Sequence, residues 1–387
     1  MSEIEIPFLY DHHSHFSLYA GLSGSVCLKD EKDKLNALNL LKNLPESRLN
    51  IVYGWNSGRY RFDSSELNML PPVIISNISL HGFVMNSSAE KLLSVQYPDI
   101  IANYHDSKWC ENHVTELILF FSKILPLTIE TVRNYSDFLL KTHGIYEIDD
   151  MLLPSQEVFD LINDSELKNR VHFWADIETF RQLPEKTQKT IKGIKLFTDG
   201  ANGASTAALS VPYRNGITGL LTHSDVELIE LLEESFEISN AVAIHALGDL
   251  ATDQTVKAVE NIKKRGFSLD IRIEHAQFIS EKCAKKAKDL GITMSLQPNF
   301  SEDSVIYADR IPQEFLKLNN NFRMLIDKAG FIPGLDMIFG SDGMPHGVQF
   351  ALKQSLYPSF ESQKLTIEEF KKGYCTSPVH GMINTII

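Results

Sequence analysis

PFLYDHHSH, residues 7–15, is an apolar run that closes on an acidic residue, three histidines and a serine. Four later segments repeat this design: KGIKLFTDG (192–200), AVAIHALGD (241–249), DIRIEHAQ (270–277) and MIFGSDG (337–343). Apolar runs of this length with polar tips are typical of strands in a parallel sheet. In a parallel barrel the strand tips share one rim, which carries the functional loops. We therefore expect these polar tips to form one site.

Strand-like runs alternate with amphipathic, helix-like segments through most of the chain. Three of the helices are predicted at 226–238, 252–264 and 280–290, and Gly266 and Gly291 cap the last two. The alternation favours an α/β fold with a parallel sheet. We predict a TIM-like (β/α)8 barrel with strands at 7–13, 144–149, 171–176, 193–198, 241–246, 270–275, 292–297 and 337–342.

Roughly 130 residues separate the first two predicted strands, far more than an ordinary βα connection needs. We predict one barrel over residues 1–387 with a folded insertion or lid region at 45–140. Long loops at the functional rim of a barrel often form substrate walls, so we expect Trp55, His81 and Trp109 near the pocket. Strands are predicted in NIVYGWN (50–56) and PPVIISNISLHGF (71–83), and helices at 117–125 and 129–141.

Composition excludes several classes of protein. The chain has 387 residues, is 43% hydrophobic and carries a formal net charge of −13, which disfavours a nucleic-acid partner. It lacks a signal-like start and any run near the ~18 apolar residues of a membrane span, so we predict a cytoplasmic protein without a membrane partner. The four cysteines have neither CxxC nor CxH spacing, which predicts no disulfide framework and no zinc knuckle.

His13 and His15 lie two positions apart, the spacing that puts two side chains on one face of a strand. Both can then bind one metal ion, for which imidazole is a common ligand. His12, next to His13, points the opposite way and is interpreted as structural. The helical metal motif HExxH is absent from the sequence.

Lys195 stands on the strand GIKLF, where an ammonium group cannot bind a cation. One interpretation is a salt-bridged barrel lysine, because buried charges are usually paired. The other is a deprotonated amine that adds carbon dioxide, giving a carbamate that bridges two metal ions. The presence of four histidines at other strand tips favours the carbamate that bridges two metal ions.

His245 and His275 end adjacent predicted strands and can converge on a second ion. Asp249 and Glu274 are the nearest candidates to orient their imidazole N–H groups. Asp342 ends the last strand, which lies beside the first in a closed barrel. We predict that it binds metal and acts as the general base of a hydrolytic reaction.

Eight segments carry a resemblance to a known family: DHHSH, YGWN, LHGFVMNSSAEKLL, GIKLFTDGANGASTAAL, IHALGDLATDQTV, RIEHAQ, SLQP and FGSDGMP. In order and content they resemble family 3 of the amidohydrolase superfamily, the metal-dependent amide hydrolases, over nearly the whole chain. The resemblance implies a TIM-like barrel with one or two divalent ions, usually zinc. It implies that His13, His15 and Asp342 bind one ion and that His245 and His275 bind the other. It further implies carbamylated Lys195 as the bridge, Asp342 as the base and His81 beside the substrate.

Three features depart from the family pattern. Members usually carry a β-sandwich on both sides of the barrel, but here the first histidine motif starts at residue 11, so we expect the sandwich to be missing or reduced to a remnant. The segment that matches GSRTA reads GASTA, with Ser205 in place of the expected arginine. FGSDGMP continues into His346, which either reaches the pocket or faces solvent.

The residues together predict a hydrolase that cleaves a C–N bond of a small amide or cyclic amide. Two alternatives stay open: a deaminase of a heterocycle with one metal ion, and a metal-binding regulatory protein without turnover. Use of the same site in biosynthesis, to make or break a cyclic amide, is a variant of the main prediction. Substrate identity and homo-oligomerisation are not predicted, since a barrel fold does not by itself determine function.

Overall fold

A computed structural model describes residues 3–56, 59–77, 82–267, 270–343 and 347–386. The chain divides into two compact units. One consists of Met1–Ser17 with Arg133–Ile387, and the other is Leu18–Val132. His81 and His346, both singled out in the sequence, lie outside the described residues.

The first unit contains the predicted barrel. Its eight parallel strands, which we number β1 to β8, pair in chain order from β1 to β8. All eight overlap the predicted strands, and the TIM-like barrel with an insertion after the first strand is confirmed. They are β1 (Leu9–Ser14), β2 (Ile145–Asp150), β3 (Val171–Ala175), β4 (Gly193–Phe197), β5 (Ala241–Ala246), β6 (Asp270–His275), β7 (Thr293–Leu296) and β8 (Met337–Phe339).

The barrel comes close to closing where β8 meets β1. The backbone N–H groups of Ser341 and Asp342 both donate to the carbonyl of His13, at 3.1 and 2.6 Å. A Cβ atom on Gly340 would lie 2.4 Å from the backbone nitrogen of His13, so only glycine permits this approach. Closure therefore brings Asp342 beside the histidine motif of the first strand.

Helices follow the strands as the βα alternation predicts. Two of the predicted helices occur as Asp225–Ile238 and Asp249–Lys264, and the third as Glu281–Asp289. Gly266 and Gly291 have φ angles of 93° and 66°, the left-handed conformation expected of C-terminal caps. The other α-helices of this unit are Gln156–Asn163, Ile177–Gln182, Glu185–Gln188, Asp303–Ile306, Gln313–Leu316, Val348–Leu356 and Ile367–Tyr374, with short 3₁₀ or π segments at Leu139–His143, Pro298–Glu302, Met324–Lys328, Glu361–Gln363 and Pro378–His380.

A separate two-stranded antiparallel sheet pairs Glu3–Pro7 with Met382–Ile386. No helix within the described ranges combines the length and apolarity that a membrane crossing requires. No disulfide bond joins cysteines within the described ranges.

The second unit has a four-stranded sheet of its own, with strands Val26–Cys27, Asn50–Trp55, Val73–Asn77 and Phe83–Met85 in that order. The first three are parallel and the last is antiparallel. Its strands contribute to two apolar clusters, which accounts for the strongly apolar sequence at residues 50–56 and 71–77. Its helices are Lys34–Leu41, Ser64–Leu67, Ser87–Leu93, Pro98–Asn103, Ser107–Asn112 and Val114–Ile124, while Phe16–Leu22 and Ile129–Phe138 cross the boundaries between the units.

The two tryptophans predicted to line the pocket both pack within this unit. Trp55 is buried in one apolar cluster, and its indole N–H donates to the carbonyl of Tyr60 at 3.0 Å. Trp109 packs against the other cluster and stacks on His113. Trp55 is thus a core residue, because a buried indole with a satisfied N–H stabilises the unit that contains it.

Candidate metal centre

Five of the six candidate residues lie at or just beyond the carboxyl ends of barrel strands, and Lys195 lies in the middle of its strand. His13 is on β1, and His15 is the first residue after that strand. Lys195 is on β4, and His245 is on β5. His275 ends β6, and Asp342 follows β8. This is the rim that carries the active sites of parallel barrels, because the βα loops open there.

Asp342 lies at the middle of this group. Its Oδ1 is 3.4 Å from His13 Nε2 and 3.3 Å from His15 Nε2. His13, His275 and Asp342 each present a ligand atom within 4.8 Å of the other two, a separation that one metal ion can span. The ring of His275 lies 4.7 Å from that of His13 and 4.4 Å from that of His245. The four histidines and the aspartate therefore form one continuous cluster.

Three histidines each have one ring nitrogen in contact with a hydrogen-bond acceptor outside the cluster. His13 Nδ1 lies 2.5 Å from Glu274 Oε2, and His275 Nδ1 lies 2.7 Å from Gln297 Oε1. His245 Nε2 lies 3.0 Å from the carbonyl oxygen of Gly200. Since these partners accept hydrogen bonds, the engaged nitrogens carry the protons. The remaining ring nitrogens are His275 Nε2, His245 Nδ1 and His13 Nε2, which lies 3.4 Å from Asp342 Oδ1.

Burial keeps two of these rings neutral. Burial, together with the nearby Lys195, lowers the pKa of His245 to about 3. Burial also holds the pKa of His275 well below its usual range, with His245 and His13 adding to the effect. A neutral imidazole is the form that binds metal ions.

Lys195 is buried, with 1% of its surface exposed. Its Nζ atom has no hydrogen-bond partner among the described residues and lies 4.9 Å from the centre of the Phe197 ring. The alternative of a salt-bridged lysine is therefore not supported within the described chain. Burial lowers the pKa of the Lys195 amine to about 8. An amine in this state is chemically available, because a usable fraction is unprotonated near neutral pH.

Two of the candidate residues have strained backbones. His275 and Asp342 have φ angles of 72° and 55°, in the left-handed region that residues other than glycine rarely adopt. Ala276, next to His275, has a φ of 44° and donates its N–H to the carbonyl of Ala246. Such conformations persist where surrounding contacts enforce them, and they cluster at functional sites.

Neither Asp249 nor Glu274 contacts the imidazole predicted for it, although Glu274 does contact another histidine of the site. Glu274 contacts His13 across the barrel, not its sequence neighbour His275. Asp249 begins the helix after β5, and its Oδ1 accepts the N–H of Ser210 at 2.8 Å. The carboxylate near His245 belongs instead to Asp199, which accepts three backbone N–H groups and lies 3.5 Å from His245 Nε2.

Sequence reasoning also missed Asp11 and Gln297 as supporting residues. Asp11 is fully buried and accepts hydrogen bonds from the backbone N–H and the hydroxyl of Ser341, next to Asp342. The signal for Asp11 was its place at the head of DHHSH, and the signal for Gln297 was its place at a strand end in SLQP. Both tie a candidate ligand to a neighbouring strand end.

The model of the amidohydrolase family matches residues 49–351 of this chain. The chain belongs to the amidohydrolase family. The match spans most of the barrel, including Lys195, His245, His275 and Asp342.

Among curated amidohydrolase relatives, the Bacillus subtilis (strain 168) protein named "Putative amidohydrolase YtcJ" is 25% identical over 74% of this chain and 60% of its own length. The Arabidopsis thaliana protein named LONG AFTER FAR-RED 3 is 31% identical over 42% of this chain and 29% of its own length. The chain thus spans less than two thirds of the curated relatives that it matches.

Two solved structures share the fold of this amidohydrolase-family chain. An uncharacterized metal-dependent hydrolase from Pyrococcus horikoshii OT3 has a TM-score of 0.72 and 23% identity, covering 92% of this chain and 75% of that one. Its counterpart from Pyrococcus furiosus has a TM-score of 0.71 and 22% identity, covering 96% and 81%. At this identity the likeness supports the barrel architecture.

The GASTA segment is where this amidohydrolase-family chain departs from the expected arginine. Ser205 has a φ of 61° and accepts a hydrogen bond from the Asn215 side chain at 3.2 Å. A guanidinium group nevertheless reaches this loop, since Arg310 Nη1 donates to the carbonyl of Gly203 at 2.5 Å. The cation comes from the segment after β7, which local sequence cannot indicate.

The donor set fits a divalent cation. Imidazole nitrogen and carboxylate oxygen are the ligands that zinc prefers besides thiolate. His15 Nδ1 and Lys195 Nζ are buried and have no partner among the described residues. Buried polar atoms are nearly always satisfied, so these two indicate that the site is completed by a further group.

Proposed function

We propose that this chain is a metal-dependent hydrolase that cleaves the C–N bond of a small amide or cyclic amide. The observation that carries the proposal is the buried amine of Lys195, which has no hydrogen-bond partner among the described residues and lies on a barrel strand whose rim carries four histidines and Asp342. Membership of the amidohydrolase family supports the reaction class. Zinc is the ion we expect, because nitrogen and oxygen donors in this mixture suit it.

The proposed ligands fall into two sets. His13, His15 and Asp342 would hold one ion, in line with the short distances from Asp342 Oδ1 to both imidazoles. His245 and His275 would hold the second through the ring nitrogens that their hydrogen bonds leave free. When bound, ions in such a site polarise the substrate carbonyl and lower the pKa of water toward ~7.

Lys195 would join the two sets as a carbamate. Its unprotonated amine would add to the carbon of dissolved carbon dioxide: an N–C bond forms, one C=O π bond breaks and places its electron pair on oxygen, and one proton leaves the nitrogen for solvent. The product is a carbamate with a single negative charge shared by two oxygens. Burial favours this change, because it already lowers the pKa of the amine to about 8.

Asp342 would act as the general base. Its side chain is 26% exposed, whereas that of His13 is 2% exposed, so the carboxylate is the more open of the two toward an incoming substrate. Asp342 would accept a proton from the attacking water and deliver it to the nitrogen of the leaving amine. His81 stays a prediction as the oxyanion partner, since it lies outside the described residues.

The test is metal content together with turnover. Purified protein is dialysed against zinc or manganese, its metal stoichiometry is measured by atomic emission, and a library of amides and cyclic amides is assayed for hydrolysis. We expect two ions per chain and turnover of at least one amide, and Lys195→Ala should lose one ion and the activity.

Other outcomes separate the alternatives. One tightly held ion, an active Lys195→Ala variant and ammonia release from heterocyclic amines would favour a deaminase. Bound metal without turnover of any library member would favour the regulatory alternative. Protein that retains no metal after exposure to either ion would overturn the proposal. Carbamate formation is read separately by carbon NMR after incubation with labelled bicarbonate, with Lys195→Ala as the control.

A further inference from the structure

Beneath the candidate metal centre, a row of charged side chains crosses the interior of the barrel. Glu274 and Asp149 are both fully buried, and Arg272 lies between them with 8% of its surface exposed. Arg272 Nε donates to Glu274 Oε1 and Nη1 donates to Asp149 Oδ2, each at 2.7 Å. Lys192 donates to the other oxygen of Asp149 at 2.9 Å. Since β6 and β2 are not neighbours in the sheet, the contact between Arg272 and Asp149 spans the barrel.

The formal charges of this row cancel, with two carboxylates against one guanidinium and one ammonium group. Even so, such a network is an unusual way to fill a barrel, whose interior normally consists of layers of branched aliphatic residues. Removing ions from water costs several kcal/mol each, and apolar packing of the same volume is often as stable or more so. Stability alone therefore does not account for the row.

Arg272 is held on four sides. Besides the two carboxylates, its Nη2 donates to the carbonyl of His12 at 2.6 Å, and its guanidinium lies 4.7 Å from the centre of the Trp174 ring. A planar guanidinium with several donors meets this arrangement, and a lysine ammonium does not. The position of Arg272 is therefore set by β1, β2 and β3 together.

The two oxygens of the Glu274 carboxylate accept hydrogen bonds from different donors. Oε1 accepts from Arg272, which leaves Oε2 to accept from His13 Nδ1 at 2.5 Å. With Nδ1 protonated, the His13 ring presents Nε2 toward Asp342 and His275. A rotated or neutral Glu274 would release that constraint on both the ring and its tautomer.

We propose that Arg272 is a positioning residue, which acts through Glu274 to orient His13 and to fix its tautomer for metal binding. The inference rests on the proposed metal centre for its purpose, but the orientation of His13 is a property of the metal-free chain. A merely structural Arg272 would affect folding without acting through Glu274.

The first experiment measures zinc affinity by competition with a chromogenic chelator. Loss of a residue that orients a metal ligand typically weakens affinity 10–100-fold, and we expect this range for Glu274→Gln and for Arg272→Gln. Arg272→Lys, which keeps the charge, should recover part of the loss. In the Glu274→Gln background, adding Arg272→Gln should weaken zinc binding by less than about a further threefold. The carboxylate through which Arg272 acts has already been replaced there by a neutral amide.

The matched control is Lys192→Met, which removes the other cation of the row without touching Glu274. Its zinc affinity should stay within about threefold of the parental value, since its contacts end at Asp149 and Tyr10. Thermal melts of all the metal-free variants monitor folding. If Arg272→Gln does not fold, Arg272→Lys with Glu274→Gln completes the same cycle. Equal losses from the Arg272 change in both backgrounds would overturn the proposal.

The second experiment needs no metal. Nitrogen NMR of the metal-free protein, recorded above the pH at which the His13 ring becomes neutral, reads the protonation of each imidazole nitrogen, with the His13 signals assigned by their loss in His13→Gln. We expect Nδ1 of His13 to be protonated in the parental protein and the two tautomers to mix in Arg272→Gln. An unchanged His13 spectrum would overturn the positioning role. Parental protein that binds no zinc would instead overturn the proposed function, so the two failures are distinguishable.

Discussion

Replacing Lys195 by methionine should stabilise the metal-free protein while removing its proposed activity. The amine is buried without a partner among the described residues, and burial lowers its pKa from the ordinary 10.5 to about 8. At 1.36 kcal/mol per pKa unit, the protonated amine costs the folded state about 3 kcal/mol near pH 7. Methionine has a similar length and no charge, so the variant should gain about that amount.

The sign of the pH dependence follows from the lowered pKa. Below about pH 8 the amine is protonated in both the folded and the unfolded chain, so the full cost is present. Between about 8 and 10.5 the folded chain loses its proton first, and the cost disappears as the pH rises. The stability advantage of Lys195→Met should therefore shrink toward zero over this interval.

The assay is urea unfolding of chelator-treated protein in buffer free of carbon dioxide, followed by circular dichroism from pH 7 to pH 10. Lys168→Met, at an exposed position, is the control and should change stability by less than about 0.5 kcal/mol. Equal unfolding midpoints for Lys195→Met and the parental protein at pH 7 would refute the reasoning. So would an advantage that stays constant up to pH 10.

Three further predictions follow from the same structure. Asp342→Asn should retain metal by atomic emission yet lose at least ~10² in kcat, the scale of a general base, and parental turnover would contradict that role. Gly340→Ala should destabilise the protein by about 1–3 kcal/mol in urea, because its Cβ would lie 2.4 Å from the backbone nitrogen of His13, and an unchanged midpoint would show that β1 can move. Burial raises the pKa of Asp303 to about 6, so folding should lose up to about 3 kcal/mol as the pH rises from about 4 to about 7. Asp303→Asn should remove that slope in urea melts, and a slope that persists would assign it to other groups.

The barrel was predictable because each strand has a recognisable local sequence pattern. The run before His245 is apolar on both faces, as parallel strands covered by helices usually are, whereas the run before His275 alternates isoleucine with charged residues; each ends in a polar tip. Parallel pairing then puts all the tips at one rim, so the gathering of candidate residues follows from strand direction alone. The predicted ends of β8 were less accurate, since the strand stops at Phe339 and Asp342 lies in the following turn.

Trp55 illustrates where sequence reasoning went wrong. An aromatic residue in a long insertion after β1 resembles a pocket wall, but Trp55 is buried in the apolar core of the second unit. An apolar residue in such an insertion can line a pocket or pack in a core, and its burial distinguishes the two. Local sequence does not reveal which side of a strand faces a helix.

The amino-acid sequence by itself determined the fold class and the kinds of donor at the rim, because strand periodicity and residue chemistry are local properties of the chain. Only the tertiary structure decided which side chain contacts each candidate metal ligand. Glu274 contacts His13, 261 positions away, and Arg272 donates to Asp149, 123 positions away. Those contacts form across the barrel interior, so they depend on closure and strand stagger, and no neighbouring residue records them.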